Sequence, residues 1–139
     1  MTDGSGTLAR YLLDTDTVVD LLRGRADVVA RLRDVSPDQV RISAMTVAEL
    51  AYGARRARDP EARFAEVERF CGVVRVVTFG TRAALAHARL RDALRSAPVG
   101  PADLVIAATA LAQGATVVTS NLREFARLPR VRAESWRAA

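Results

Sequence analysis

Five acidic side chains stand just beyond apolar segments, where a buried strand would hand over to a helix. Asp14 and Asp16 follow Tyr11-Leu12-Leu13, Glu49 comes a few residues after Val40-Arg41-Ile42-Ser43, and Asp103 belongs to the run opened by Pro101. Glu124, with Asn121 before it, lies just past Thr116-Val117-Val118-Thr119. Sixteen acids scattered over 139 residues would rarely repeat that placement in four separate segments. Oxygen-rich sites suit hard divalent cations, and Mg2+ takes one or two carboxylates together with waters and substrate phosphate. A cation held this way activates water and stabilises a transferring phosphoryl group. Metal-assisted phosphodiester hydrolysis is therefore the chemistry these residues fit. Paired carboxylates also serve glycoside hydrolysis, but a sugar cleft calls for aromatic platforms. Aromatic residues make up 5% of this chain, with a single tryptophan, Trp136, near its end.

The remaining composition removes competing chemistries. All 21 basic residues are arginine, which excludes a Schiff-base lysine and a lysine-bearing phosphate loop. One cysteine, Cys71, and one histidine, His87, exclude an internal disulfide framework, CxxC sites, His-rich zinc sites and HExxH proteases. The net charge of +5 points to a nucleic-acid partner. Half of the residues are apolar, enough for a core without metal or disulfide staples.

These acids need elements to position them. The short apolar run Tyr11–Leu13 reads as a buried strand, followed at helical spacing by Val18, Val19, Leu21 and Leu22 up to Gly24. Asp27 caps a short helix through Leu32; Val40–Ser43 is a second strand; Thr46 opens a helix with Glu49 in its first turn. Asp59-Pro60 starts a helix to about Gly72, and the valine-rich Val73–Phe79 reads as a strand. Helices over 81–96 and from Pro101 to Gly114 lead to the strand Thr116–Thr119, and the tail holds a helical turn and an edge strand. Strands alternating with helices predict an α/β sandwich around a mostly parallel sheet, where ligands gather outside the strands' carboxyl ends. Residues 1–10 are small and polar and predict a flexible start, with one domain over 11–139. No signal-peptide pattern or membrane-length apolar run is present, so a soluble cytoplasmic protein is expected.

Each acid also has a plain structural role open to it. Asp14 or Asp16 fits a helix N-cap, Glu49 a favourable place in the helix dipole, and Asp103 an ordinary helix start after Pro101. One cap cannot explain both Asp14 and Asp16.

The chain resembles PIN-domain nucleases, specifically the VapC toxins of bacterial toxin–antitoxin pairs. Four motifs in order carry the resemblance: 11–16 (YLLDTD), 42–53 (ISAMTVAELAYG), 100–108 (GPADLVIAA) and 117–125 (VVTSNLREF). It covers about Tyr11 to Trp136 and implies a PIN-like three-layer sandwich with a mostly parallel central sheet flanked by helices. By position, Asp14, Glu49 and Asp103 match the acids that ligate Mg2+ or Mn2+ in that family. Many members carry a fourth acid after the last buried strand; this chain has Ser120-Asn121 there, leaving Asn121 or Glu124 to complete the site. Thr15, Asp16, Ser43 and Thr119 are then candidates for orienting the ligands. The resemblance implies in-line attack of a metal-activated water on RNA, leaving 5′-phosphate and 3′-hydroxyl ends, together with a homodimer and a cognate VapB-like antitoxin. Two alternatives stay open: a catalytically weak module that binds nucleic acid or a partner, and a DNA-directed nuclease on the same site.

Arg55, Arg56, Arg58, Arg63 and Arg69 alternate with acids and read as a salt-bridged exposed face. The stretches holding Arg82 and Arg89, and Arg123 and Arg127, are net basic and are the candidates for RNA phosphate contacts. His87 and Cys71 lack activating neighbours in sequence. Phe64, Phe70 and Phe125 are expected in the core, Trp136 at an edge, and Asp20 on a solvated helix face.

Overall fold

The computed structural model describes residues 8–139. The flexible start expected for residues 1–10 falls mostly outside that range. Of its last residues, the Ala9 carbonyl accepts a hydrogen bond from the Gln39 side chain, and Arg10 Nη1 donates to the Gln113 carbonyl.

The chain alternates strands and helices: β1 (Tyr11–Leu13), α1 (Thr15–Leu22), α2 (Ala26–Arg33), a 3-10 turn (Pro37–Gln39), β2 (Val40–Ser43), α3 (Ala44–Arg55) and α4 (Pro60–Val73). There follow β3 (Arg75–Val77), α5 (Thr81–Ala93), α6 (Pro101–Gln113), β4 (Thr116–Val118), α7 (Leu122–Phe125) and β5 (Ala133–Glu134). The sheet order is β3-β2-β1-β4-β5, and every pairing is parallel. The chain moves from β1 outward through β2 to β3, then returns to the other side of β1 with β4. The crevice between the carboxyl ends of β1 and β4 is thus a topological switch point, where open α/β sheets bind ligands.

Period-two alternation divides the core into two layers. Leu12 and Val117 face Ala86, Leu90, Leu104 and Ile106 of α5 and α6. Leu13, Ile42 and Val118 face Val18, Val28, Leu50 and Val67 of α1 to α4. Helices thus cover both faces, giving the three-layer α/β sandwich. Phe125, fully buried, seats the short α7 against the first layer. Phe125→Ala is expected to cost about 3–5 kcal/mol and to free the turn carrying Glu124; a urea melt unchanged within 1 kcal/mol, an order-of-magnitude margin, would count against this seating. Among the described residues no helix is long and apolar enough to cross a membrane.

Several boundaries differ from the sequence expectation. Ser43, not Thr46, caps α3: its Oγ accepts from the Thr46 N–H at 3.0 Å, so the helix starts at Ala44 and Glu49 falls in the second turn. Asp27 sits inside the first turn of α2, one residue past a start at Ala26. Val73 ends α4 instead of opening a strand, and β3 keeps only three residues, where it pairs with β2. The helix expected over 81–96 stops at Ala93. Gly114 closes α6 in the left-handed region, φ 63°. Phe64 is exposed rather than core. Asp20 is buried, with Arg137 gripping its carboxylate through Nε at 2.8 Å and Nη2 at 3.0 Å.

Candidate active site

Four segments bring their acids to one end of the sheet. Asp14 leaves β1 and caps α1, its Oδ1 accepting the Thr15 N–H at 2.8 Å. Its Oδ2 accepts the Thr119 hydroxyl, also at 2.8 Å, across the switch point. Asp14 is therefore a cap and something more: only 6% of its surface is exposed. Burial, then the neighbouring Asp16 carboxylate, push its pKa up to about 6, although the bonds from Thr119 and Thr15 pull the other way. Asp16 takes a separate task. Its Oδ2 accepts from both the N–H and the hydroxyl of Ser120, fastening the loop after β4 to the first turn of α1.

Glu49 lies beyond the first turn of α3, where the helix dipole has little hold on a charge. What fixes it is Thr15, whose hydroxyl donates to Glu49 Oε1 at 2.5 Å. Thr15 Oγ1 is 3.3 Å from Thr46 Oγ1, which lies 3.3 Å from Ser43 Oγ. This chain of three hydroxyls ties the start of α1 to the start of α3, and Thr46 is fully buried within it. Thr46 is a site residue that sequence reading missed, because it had been assigned to opening the helix. Groups that orient site carboxylates typically contribute 10–100-fold. Thr15→Val is expected to lower the rate of RNA cleavage by about that factor, with Thr15→Ser close to wild type; equal rates for all three proteins would remove Thr15 from the site.

Asp103 occupies the first turn of α6, half-buried. Burial raises its pKa first, followed by the charges of Glu124, Glu49 and Asp16. Asp14, Asp16, Glu49, Asp103 and Glu124 therefore feel one another around a single cleft. Among the described residues only Glu124 of these five has an arginine partner, Arg127 at 3.3 Å. In a chain of net charge +5, four acids without a cation partner make a negative hole. Asn121 uses its backbone N–H to bond Thr119 Oγ1 at 3.0 Å and is exposed as the start of α7.

No three His, Cys, Asp or Glu side chains among the described residues are gathered closely enough to ligate one ion together. Mg2+ does not require such a cluster, since it keeps several waters and binds through one or two carboxylates plus substrate phosphate. A fully protein-made cage, of the kind zinc takes, does not fit this donor set.

The arginines fall differently from the sequence expectation. Arg127 spends its guanidinium on Glu124 and the Ala97 carbonyl. Arg82 lies beside Gln113 at the far end of α6 from Asp103, about 15 Å along the helix. Arg89 is exposed on α5, and Arg123 is exposed on α7 between Asn121 and Glu124. Arg23 and Arg58, which the charge pattern did not single out, line a groove of about 360 Å³ together with Thr15 and Glu49. Arg63 lines it too, paired with Glu66 at 3.2 Å. Alternation with acids made Arg58 look neutralised, but among the described residues it has no ion pair.

The PIN-domain family model matches residues 11–131. The chain is 35% identical to the tRNA(fMet)-specific endonuclease VapC of Salmonella typhimurium, over 93% of this chain and 99% of that protein. It is 30% identical to Ribonuclease VapC2 of Haemophilus influenzae, again over 93% and 99%. The fold superposes with a TM-score of 0.86 on the crystal structure of DNA-bound VapBC from Salmonella typhimurium, at 35% identity over 94% of this chain and 100% of that one.

Proposed function

The chain belongs to the PIN-domain family as a VapC-type toxin ribonuclease, and from that premise we propose that it hydrolyses RNA phosphodiesters with Mg2+, or Mn2+ in its place. The observation that carries this is the cleft of Asp14, Asp16, Glu49 and Asp103, mutually repelling and without arginine partners among the described residues. One or two of Asp14, Asp103 and Glu49 would ligate the ion directly and the rest through its waters, with Asn121 or Glu124 as the further candidate. The ion, when bound, supplies water activation and neutralises charge on the transferring phosphoryl group. Thr119 and Thr15 hold Asp14 and Glu49 in position, and Ser43 braces Thr46 behind them. Asp16 keeps the loop carrying Ser120 and Asn121 against the cleft. The backbone of the RNA approaches over Arg23, Arg58 and Arg123, with Arg127, held by Glu124, beside them and Arg82 and Arg89 as more distant phosphate candidates.

The product ends are 5′-phosphate and 3′-hydroxyl. A VapB-like antitoxin neutralises the activity, a reading supported by neighbours solved as VapBC complexes. The working form is a homodimer in the cytoplasm, and the exposed apolar Val76, Phe79 and Leu85 support the dimer. The test is RNA cleavage in chelator, then with added Mg2+ or Mn2+, beside DNA of the same sequence. Cleavage of RNA alone, restored by either metal, is the expected result. DNA cleavage would make this a DNA-directed nuclease. A second reading draws on the absence of a tight three-acid cage among the described residues: salt-sensitive RNA binding without metal-dependent turnover would identify a binding module.

A further inference from the structure

The sheet carries an opposite charge at its amino end. Arg41 on β2 and Arg75 on β3 are register partners, and Leu12 on β1 is the partner of Arg41 on the other side. Register partners share a face, with their Cβ atoms side by side. Arg10 precedes Leu12 by two residues and so belongs to that face as well, with its Nη1 on the Gln113 carbonyl at 2.9 Å. Three arginines therefore share this face, and Arg10 among them reaches the carboxyl end of α6. Like charges directly opposite on a sheet repel, so the arrangement is unfavourable unless something answers it.

The Gln113 carbonyl answers Arg10, but among the described residues Arg41 has no ion pair. It is 6% exposed, and its Nε is buried with no hydrogen-bond partner among the described residues. Among the described residues its one side-chain bond is a long one, Nη1 to the Asp38 carbonyl at 3.5 Å. The carboxylate felt there, among the described residues, is the exposed Asp38, while burial and the charges of Arg10 and Arg75 act against the Arg41 cation. A guanidinium does not escape by losing its proton in a protein. Its planar fork matches the oxygens of a phosphate. Next to the Gln113 contact lies a cavity of about 280 Å³, lined by Gly80, Thr81, Arg82 and Gln113.

We propose that Arg10, Arg41 and Arg75 form a second phosphate-binding site at the amino end of the sheet, remote from the acidic cleft. Arg41 is the buried anchor, and Arg10 and Arg75 close over the anion from the rim. The phosphate is either a backbone phosphate of RNA lying away from the cut bond or a free phosphate ion. The site goes beyond the nuclease reading, and its phosphate arm requires no cleavage, so either idea can fail without the other.

The first arm measures the thermal midpoint of the full chain in inorganic phosphate against chloride of equal ionic strength, in chelator. Phosphate is expected to raise the midpoint of the wild type with a saturating dose dependence, and to leave Arg41→Met unmoved. Should Arg41→Met fail to fold, Arg75→Ala, an exposed position, serves instead. The second arm measures RNA affinity in the Asp14→Asn background, using a short oligonucleotide and a long structured RNA. Loss of affinity for the long RNA alone, with a salt slope shallower by about 0.7–0.9 per lost contact, assigns the phosphate to the RNA backbone. A phosphate effect on the midpoint with unchanged RNA binding assigns it to the free ion. Equal midpoints in phosphate and chloride together with unchanged RNA binding overturn the proposal.

Discussion

If the proposed Mg2+-dependent reading holds, Asp14→Asn and Asp103→Asn are each expected to lower RNA cleavage by at least about a hundredfold while leaving the chain folded. Groups that merely orient metal ligands contribute about 10–100-fold, so direct ligands should exceed that range. Asp14 has the geometry for it. Each of its oxygens already accepts one protein hydrogen bond, from Thr15 N–H and from Thr119, and an ionised carboxylate oxygen has a further lone pair to offer. Asparagine keeps the shape and the cap but gives up the charge and one acceptor. Asp103 brings its charge from a different element, α6, into the same field. Asp16→Asn should cost less, because Asp16 already serves Ser120. Single-turnover rates at saturating Mg2+, with circular dichroism as the control for folding, give the comparison. Rates within tenfold of wild type for either Asp14→Asn or Asp103→Asn would show that the carboxylates do not hold the ion.

Asp14 was legible because three apolar residues precede it, and a charge at the end of a buried strand needs a reason. The parallel sheet was legible for a similar cause: short apolar runs such as Tyr11–Leu13 and Thr116–Thr119 alternate with segments of helical spacing. Boundaries were harder, since they turn on single competing bonds. Ser43 suits both the end of β2 and the cap of α3, and it serves as both. Val73 has a strand former's side chain, yet α4 carries through it and β3 begins only where β2 offers partners. What could not be read are pairings between distant segments. Thr15 and Glu49 are 34 residues apart, and Asp20 and Arg137 are 117 apart. Asp20 looked like a solvated helix position because nothing local announces the C-terminal arginine that covers it. Arg41 looked like an ordinary strand residue for the same reason; its isolation shows only once Arg75 stands beside it.

The same Asp14→Asn change that removes activity is expected to stabilise the metal-free protein at neutral pH. The folded chain holds the Asp14 carboxyl at about 6, against 3.8 for an unperturbed aspartate, mainly through burial and the Asp16 charge. A pKa raised by folding favours the native state fully below pH 3.8, and that contribution is lost as pH rises through about 6. Above this window both states are ionised, and the native one bears a carboxylate it solvates poorly. A shift of about two units corresponds to roughly 3 kcal/mol. Asparagine escapes most of this but loses part of the Thr119 bond, so a net gain of about 2 kcal/mol is the reasonable expectation. For a domain of this size that is roughly 7 °C in thermal midpoint. Asp103, raised in the same direction, adds to the trend. In chelator, the wild type should therefore melt higher at pH 5 than at pH 7.5, while Asp14→Asn should show a weaker dependence and exceed the wild type at pH 7.5. Added Mg2+ should close that gap from the wild-type side, since a bound cation answers the same repulsion that the substitution removes. An Asp14→Asn midpoint below wild type in chelator at pH 7.5 would mean that Asp14 serves the fold as a cap before it serves an ion.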